Sequence, residues 1–457
     1  MLPADRSRAT VARLLAALLV VSLLAPMAVS AVTADGEQAT TLQRGTVTSP
    51  ANGTTVVSTQ GYTFRGNTNA KKPARLVAVD ERGRHEWTYT SRQGTDAWFF
   101  DVDPLPNGNL LVVSPREGNT LVYELDPETK EREWERLLPY EDTHDIDMLN
   151  DTALAVSHMR GWNESRGVST DELLVYNLTT DSVTWRWRYR DHYPDSTDGG
   201  QDDDWTHSND IDPVGDDQFL ASPRNFDQVI LVNRTTKEID LRLGEDGNHE
   251  ILNEQHNPDF LRGADGTPTI LVADSHNDRV VEYAYTDGTW TRTWEVGTGQ
   301  LNWPRDADRL PNGNTLITDT LNHRVIEVTP TGEIVWEYYA TWGPYDAERV
   351  AHGDGSNGPT IREQDATGSY ELTGSAALTA GENATASVDT FIEATFAGTP
   401  LESTAEGVGA LWGHYTPWLR PVWMSGWDLF YALLAGSVLL GWTAAEGIRV
   451  GRARLRG

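Results

Sequence analysis

The chain has 457 residues, of which 68 are acidic and 37 basic, a formal net charge of -31 and no cysteine. That length accommodates one large repeat domain with appendages. The missing cysteine excludes disulfides, thiolate metal sites and a cysteine nucleophile, and the acidity excludes nucleic acid as a partner, because phosphate would be repelled over nearly the whole surface.

Acid runs evenly through the middle of the chain and reads as solvation, resembling the surfaces of proteins from brine. Residues 1–34 begin with Arg6, Arg8 and Arg13, continue as an apolar run from Leu14 to Ala31 and reach small residues at Ser30, Ala31 and Ala34. This is a signal-peptide pattern. The run is also long enough to span a bilayer uncleaved, so the segment is either a signal peptide or an N-terminal anchor helix, and both export the chain beyond residue 34.

Residues 45–340 contain a unit that recurs six times, at a period in the range of radial β repeats. Each copy has a turn leading into an apolar strand, as in Pro106-Asn-Gly-Asn-Leu-Leu-Val-Val113 and Pro311-Asn-Gly-Asn-Thr-Leu-Ile317; Asn-Gly between apolar runs signals a hairpin. A second apolar strand comes next, such as Leu121-Val-Tyr-Glu-Leu-Asp126 or Val325-Ile-Glu-Val328. An outer strand closes the unit on Trp87, Trp134, Trp187, Trp294 or Trp336, with Leu241 in the fourth copy, at intervals of 47, 53, 54, 53 and 42 residues. Four short strands per copy, none able to bury its own face alone, predict an all-β fold, a six-bladed β-propeller. The tryptophans read as packing between blades.

Residues 341–425 read as an appendage with strand-like pieces (Ser369–Thr373, Ala386–Asp389) and a linker from 401 onward. Residues 426–448 hold an apolar run from Leu429 to Ala445, broken only by Ser437 and Thr443, with Trp423 and Trp427 at its entry, and run into a basic tail at 449–457 with Arg449, Arg452, Arg454 and Arg456. This predicts a transmembrane helix with an aromatic belt and a cytoplasmic tail, which puts residues 35–425 on the extracytoplasmic side of the cell membrane, with the lipid bilayer as a partner. Six sequons (Asn52, Asn150, Asn163, Asn177, Asn233, Asn383) lie in that exported part and fit glycosylation.

Aligning the copies puts Phe100, His144, His207, His256 and Arg305 at one repeat position ahead of the turn, where the innermost strand of a blade begins and side chains converge on one mouth of the central channel. A second position, just after that strand, carries Arg116, Arg160, Arg224, Arg279 and Arg324. Three histidines with several arginines in an acidic chain point to an anion. A three-histidine metal site is set aside because adjacent guanidinium groups repel a cation, and no metal or other cofactor is expected.

The stretches Asp204-Trp-Thr-His-Ser-Asn209, Ala221-Ser-Pro-Arg-Asn-Phe-Asp-Gln-Val-Ile230, Arg242-Leu-Gly244, Glu254-Gln-His-Asn-Pro-Asp-Phe-Leu261, Asn277-Asp-Arg-Val-Val-Glu-Tyr283 and Leu310-Pro-Asn-Gly-Asn-Thr-Leu-Ile317 resemble the arylsulfotransferase family in order and spacing through residues 204–340, and more loosely from about 45. The resemblance implies a six-bladed propeller that moves a sulfuryl group from an aryl sulfate ester to a phenolic acceptor, without 3'-phosphoadenylyl sulfate and through a sulfohistidine. It would be a haloarchaeal-like, membrane-anchored member. It further implies that His207 and His256 line the site and Arg279 grips the sulfate; the repeat register adds His144, Arg224, Arg305 and Arg324 as substrate-binding residues. Where the family has another histidine, this chain has Trp303-Pro-Arg-Asp306, and arginine stays protonated and cannot attack sulfur. The alternative reading is a non-catalytic propeller that binds a sulfated or anionic glycan or a surface protein. The pairs Asn277/Arg279 and Asn322/Arg324 also resemble NHL-type propeller repeats.

Overall fold

The computed structural model describes residues 3–33, 42–47, 52–60, 62–63, 70–72, 74–90, 98–116, 118–340, 343–374, 388–419 and 424–454. Two units divide the chain, residues 44–384 and a second unit made of residues 1–43 with 385–457.

Among the described residues the first unit contains six blade sheets of a propeller, each built on four antiparallel strands, and in the fifth and sixth blades a fifth strand is added at the outer edge. Their innermost strands are Asp101–Pro104, Ile146–Asn150, Ser208–Val214, His256–Arg262, Pro304–Arg309 and Pro344–Arg349. The last belongs to the first blade, where it pairs antiparallel with Thr55–Thr59. The ring is therefore closed by sequence from both ends, and it runs on to Arg349 rather than ending at 340. A repeat landmark based on the outer tryptophan stops one strand too early, because the closing strand has no tryptophan of its own to announce it.

The Pro-Asn-Gly-Asn turns form as their composition dictates. Gly108 and Gly313 both sit at φ 89°, in the left-handed region that glycine enters without a Cβ penalty. Asn107 and Asn109 donate to Glu124, and Asn312 and Asn314 donate to Glu327, so one carboxylate ties each turn to the next strand. Between blades, Trp187 packs with Phe219 and Ile230, and Trp294 with Ile317 and Ile326, in two of the buried clusters. Burying one such indole contributes roughly 2–3 kcal/mol, and each indole N–H is also satisfied, Trp187 donating to the Lys237 carbonyl and Trp294 to that of Pro330. Trp87 and Trp134 are only half-buried and sit at the rim.

Part of the expected appendage is strand: Gly368–Tyr370 adds in parallel to the outer edge of the fifth blade, against Trp294–Val296. The expected linker after 401 is instead helical. Among its described residues the second unit holds the helices Pro3–Thr33, Val388–Phe396, Glu402–Leu419 and Gly426–Arg454. Glu402–Leu419 contains no strand-breaking alternation and its only proline, Pro417, lies in its last turn, where the helix is ending anyway. Two of the helices have stretches long and apolar enough to cross a membrane, Thr10–Val32 with mean hydropathy 2.4 and Gly426–Arg452 with 1.4. Arg13 forms a two-pronged ion pair with Glu446 between them. Ala34, Asn383, Ala386, Trp423 and Arg456 lie outside the described residues.

Candidate functional site

The six inner strands begin at one end of the channel, and the residue that opens each points into a shared mouth. These residues are Phe100, His144, His207, His256, Arg305 and Tyr345. All six are buried. The rings touch around the circle: His144 lies 3.9 Å from Phe100, 5.2 Å from His207 and 5.5 Å from Tyr345, centroid to centroid, and Tyr345 lies 6.1 Å from His256. Tyr345 is the member that sequence alignment missed, because it opens the closing strand.

Local backbone re-aims these side chains. Register shifts interrupt the pairing of the inner strand at Ser208/Ile211, His256/Asp259 and Pro304/Asp306, next to the mouth in three successive blades. Such bulges bend a strand and turn a side chain. The left-handed region is occupied by His207 (φ 40°), Glu254 (φ 47°) and Trp303 (φ 50°), which costs each of these non-glycine residues of order 1 kcal/mol and concentrates strain at the mouth.

Each histidine is held differently. His207 Nδ1 lies 2.8 Å from Asp204 Oδ1. A carboxylate only accepts, so Nδ1 carries the proton and Nε2 presents a lone pair. Arg160 in turn holds Asp204 at 3.4 Å and Asp142 at 2.8 Å. Burial opposes the Asp204 charge, but the His207 bond and the two neighbouring arginines outweigh it and hold the carboxyl below its usual range. His256 Nδ1 lies 2.8 Å from Ser275 Oγ. That hydroxyl donates to the Pro304 carbonyl at 2.6 Å, so it accepts from His256, whose Nε2 is likewise left with a lone pair. His144 Nδ1 lies 2.8 Å from the Tyr345 hydroxyl, and Asp142 sits 3.9 Å from Nε2, favouring the proton there. Tyr345 then donates, and His144 faces the mouth with an N–H.

Burial, together with the surrounding positive charge, keeps these imidazoles neutral. His207 is pulled down to about 4 by burial, against the pull of Asp204. His144 and His256 are also pushed well below the ordinary value by burial, and then by each other's neighbourhood of Arg305, Arg224 and His207. Arg305 is 7% exposed and is sandwiched between Trp303 and Tyr345, its guanidinium carbon 4.8 and 4.5 Å from their ring centroids. Burial lowers it to about 10, which leaves it charged at neutral pH. Its Nε and Nη1 have no hydrogen-bond partner among the described residues. A buried guanidinium with free donors is costly unless an anion completes it.

Arg224 stands at the edge of this set, 3.4 Å from Glu254 and bonded to Asn225. Arg279 and Arg324 do not join it. Arg279 spends its donors on Asp274 (2.7 Å), Glu295 (3.1 Å) and the carbonyls of Glu250 and Ile251. Arg324 repeats the arrangement one blade later with Asp319 (2.7 Å) and Glu337 (3.1 Å). Both begin the third strand of a blade, away from the channel, and Asn277 and Asn322 brace the same carboxylates. These pairs fasten neighbouring strands and are taken out of the site.

Directly below the mouth the channel changes sign. Carboxylates succeed the mouth residues at alternate positions along the inner strands, as in Asp101/Asp103, Asp145/Asp147, Asp306/Asp308 and Asp346/Glu348, with Asp210/Asp212 and Asp259 displaced by the bulges in the fourth and fifth blades. Together with Asp354 they line a narrow well of about 30 Å³. The expectation that the acid excess serves solvation fails for this group, nine of whose twelve carboxylates are buried, with Asp212 and Asp259 partly buried and Asp354 exposed.

The family model described as Arylsulfotransferase (ASST) matches residues 47–298, over half of the chain. The chain belongs to the arylsulfotransferase family. The matched arylsulfotransferase segment carries His144, His207, Arg224 and His256 and stops before Arg305 and Tyr345, so the last two members of the mouth lie beyond it. No curated protein matches. Among solved structures, a protein of unknown function from Bacteroides caccae is similar at 13% identity and TM-score 0.44, covering 63% of this chain and 93% of that one. A virginiamycin B lyase from Staphylococcus aureus is similar at 11% identity and TM-score 0.40, covering 66% and 89%.

Proposed function

We propose that the mouth transfers a sulfuryl group from an aryl sulfate ester to a phenolic acceptor through a covalent intermediate on His207. The observation that carries this reading is the buried Arg305 guanidinium, with two N–H groups that have no partner among the described residues, beside three neutral imidazoles. It is an anion site next to a nucleophile. Arg305 and Arg224 hold non-bridging sulfuryl oxygens, and the His144 Nε2–H donates to the same group, so charge developing in the transition state meets fixed donors in a water-poor site.

The Nε2 lone pair of His207 attacks sulfur, forming the N–S bond as the S–O bond to the aryl group breaks. Asp204 steadies the positive charge that appears on the ring, as a carboxylate does behind a catalytic histidine. The bound ester's negative charge offsets the arginines, so His256 takes up a proton and delivers it to the departing phenolate. In the second half His256 removes the acceptor's proton, the acceptor oxygen attacks sulfur, and the N–S bond breaks. Arg305 occupies the place where the family is expected to carry another histidine; it binds the sulfuryl group rather than attacking it. Membrane attachment is part of the same proposal: the Gly426–Arg454 helix with its basic end inside anchors a catalytic body that faces outward.

The test is incubation of the protein with a chromogenic aryl sulfate and a phenol in high salt. Release of the chromogenic phenol with matching formation of the acceptor's sulfate ester is expected from the parent and lost in His207→Asn. Binding of the ester with no turnover by the parent would instead make the propeller a recognition module.

A further inference from the structure

The well below the mouth is not used by sulfuryl transfer, and its composition calls for a ligand of its own. No Lys or Arg is among the described residues that line it. Asp103, Asp147 and Asp210 are 5%, 4% and 4% exposed, face the cavity, and each has an Oδ2 with no hydrogen-bond partner among the described residues. A buried carboxylate without a counter-charge or donor is strongly disfavoured. Two groups of oxygens are already arranged for a common partner. One oxygen each from Asp103, Asp147 and Asp354 lie within 4.8 Å of one another, as do those from Asp145, Asp210 and Asp212.

From this geometry we infer that the central channel is a binding site for hard divalent cations of the calcium type, one on each carboxylate triad. The separation is what such an ion requires: two oxygens bound at about 2.4 Å can be no more than about 4.8 Å apart. All donors are carboxylate oxygens, the choice of a hard cation, and no sulfur or imidazole is among the described lining residues to select a softer metal. The cavity has room for ions and little else. The loop that supplies Asp354 is built to close the far end: Ser356 donates to Asp259 through both its N–H and its hydroxyl, and at Gly355 (φ +65°) a Cβ would come within 2.9 Å of Asp259 Oδ1. Since every blade contributes its inner strand to the well, bound cations would clamp the ring at its axis, the point where this cysteine-free chain has no covalent staple.

The test uses the full chain in detergent, stripped with chelator and titrated with Ca²⁺, with Mg²⁺ and with K⁺ as separate arms, read by thermal melting and by Tb³⁺ luminescence sensitised by the protein. Ca²⁺ is expected to raise the melting temperature by about 5 °C or more, Mg²⁺ by less, and to displace Tb³⁺. Asp147→Asn combined with Asp210→Asn removes like charge from the well, so it should melt higher than the parent in chelator and lose the Ca²⁺ response. Asp202→Asn with Asp203→Asn, in the exposed loop, should keep it. Equal melting of the parent in Ca²⁺ and in chelator, an equal rise with K⁺ alone, or a Ca²⁺ response that survives in the well variant would overturn the inference. Should the well variant fail to fold, saturable Tb³⁺ binding to the parent, displaced by Ca²⁺ but not by K⁺, still decides.

Discussion

The mouth and the well are consecutive layers of the same six strands, yet they hold opposite charge. At the mouth, imidazoles are driven neutral and a guanidinium keeps donors without a partner among the described residues; one residue further along, four of the six inner strands carry a carboxylate. Burial produces both conditions, because a low-dielectric channel magnifies whichever charge it encloses. The difference lies in how each layer is supplied with counter-charge. The mouth has Asp204 and Asp142 behind its histidines, whereas the well has none among its described lining residues. One layer is suited to admitting an anion from solution and the other to retaining cations.

Variants should separate the layers. His207→Asn removes the proposed nucleophile and is expected to lower kcat/KM for an aryl sulfate by about 10³-fold or more with little change in melting temperature; an equal loss in the well variant Asp147→Asn with Asp210→Asn would erase the distinction between layers. Arg279→Gln leaves Asp274 buried and uncompensated and should destabilise the fold by about 3 kcal/mol, seen as a lower denaturation midpoint, while the folded fraction keeps its turnover. A specific loss of turnover without destabilisation would return Arg279 to the site. Arg305→Met should raise KM and lower kcat/KM by about 10²-fold through loss of charge-assisted bonds to the sulfuryl oxygens. Asp204→Asn should reduce kcat by about 10- to 100-fold, as removal of an orienting partner does.

The smallest effect concerns pH. The proposed mechanism needs the His207 lone pair, and burial pulls that ring down to about 4. Protonation removes the lone pair, so kcat/KM should hold as pH falls through the ordinary histidine range and drop only near pH 4. An acid limb near the ordinary histidine value of about 6.5 would mean that the ring is solvated and the mouth is not dry.

The repeat register made the architecture and most of the mouth legible, because inner strands of equivalent blades must open on the same channel and Phe100, His144, His207, His256 and Arg305 recur at one position. Tyr345 escaped because ring closure borrows its last strand from beyond the final tryptophan. Arg279 and Arg324 were misplaced for a different reason: a basic residue at the start of a strand recurs as regularly as a mouth residue, and sequence spacing does not tell which way it faces. Only the carboxylates Asp274 and Asp319, five residues upstream of each, hinted at the ion pairs. The well was hidden by the acidity of the whole chain. Its signal was nevertheless present, as Asp-x-Asp beginning one residue after the mouth position in Asp101/Asp103, Asp145/Asp147 and Asp306/Asp308.

The central claim is that a sulfuryl group rests on His207 between donor and acceptor. Mixing the protein with an aryl sulfate in the absence of acceptor, quenching under alkaline conditions and mapping peptides by mass spectrometry tests it directly. An acid-labile sulfuryl group on the peptide containing His207, discharged when a phenol is added, is the predicted result. Turnover with that peptide unmodified, or with the group on another residue, would contradict it.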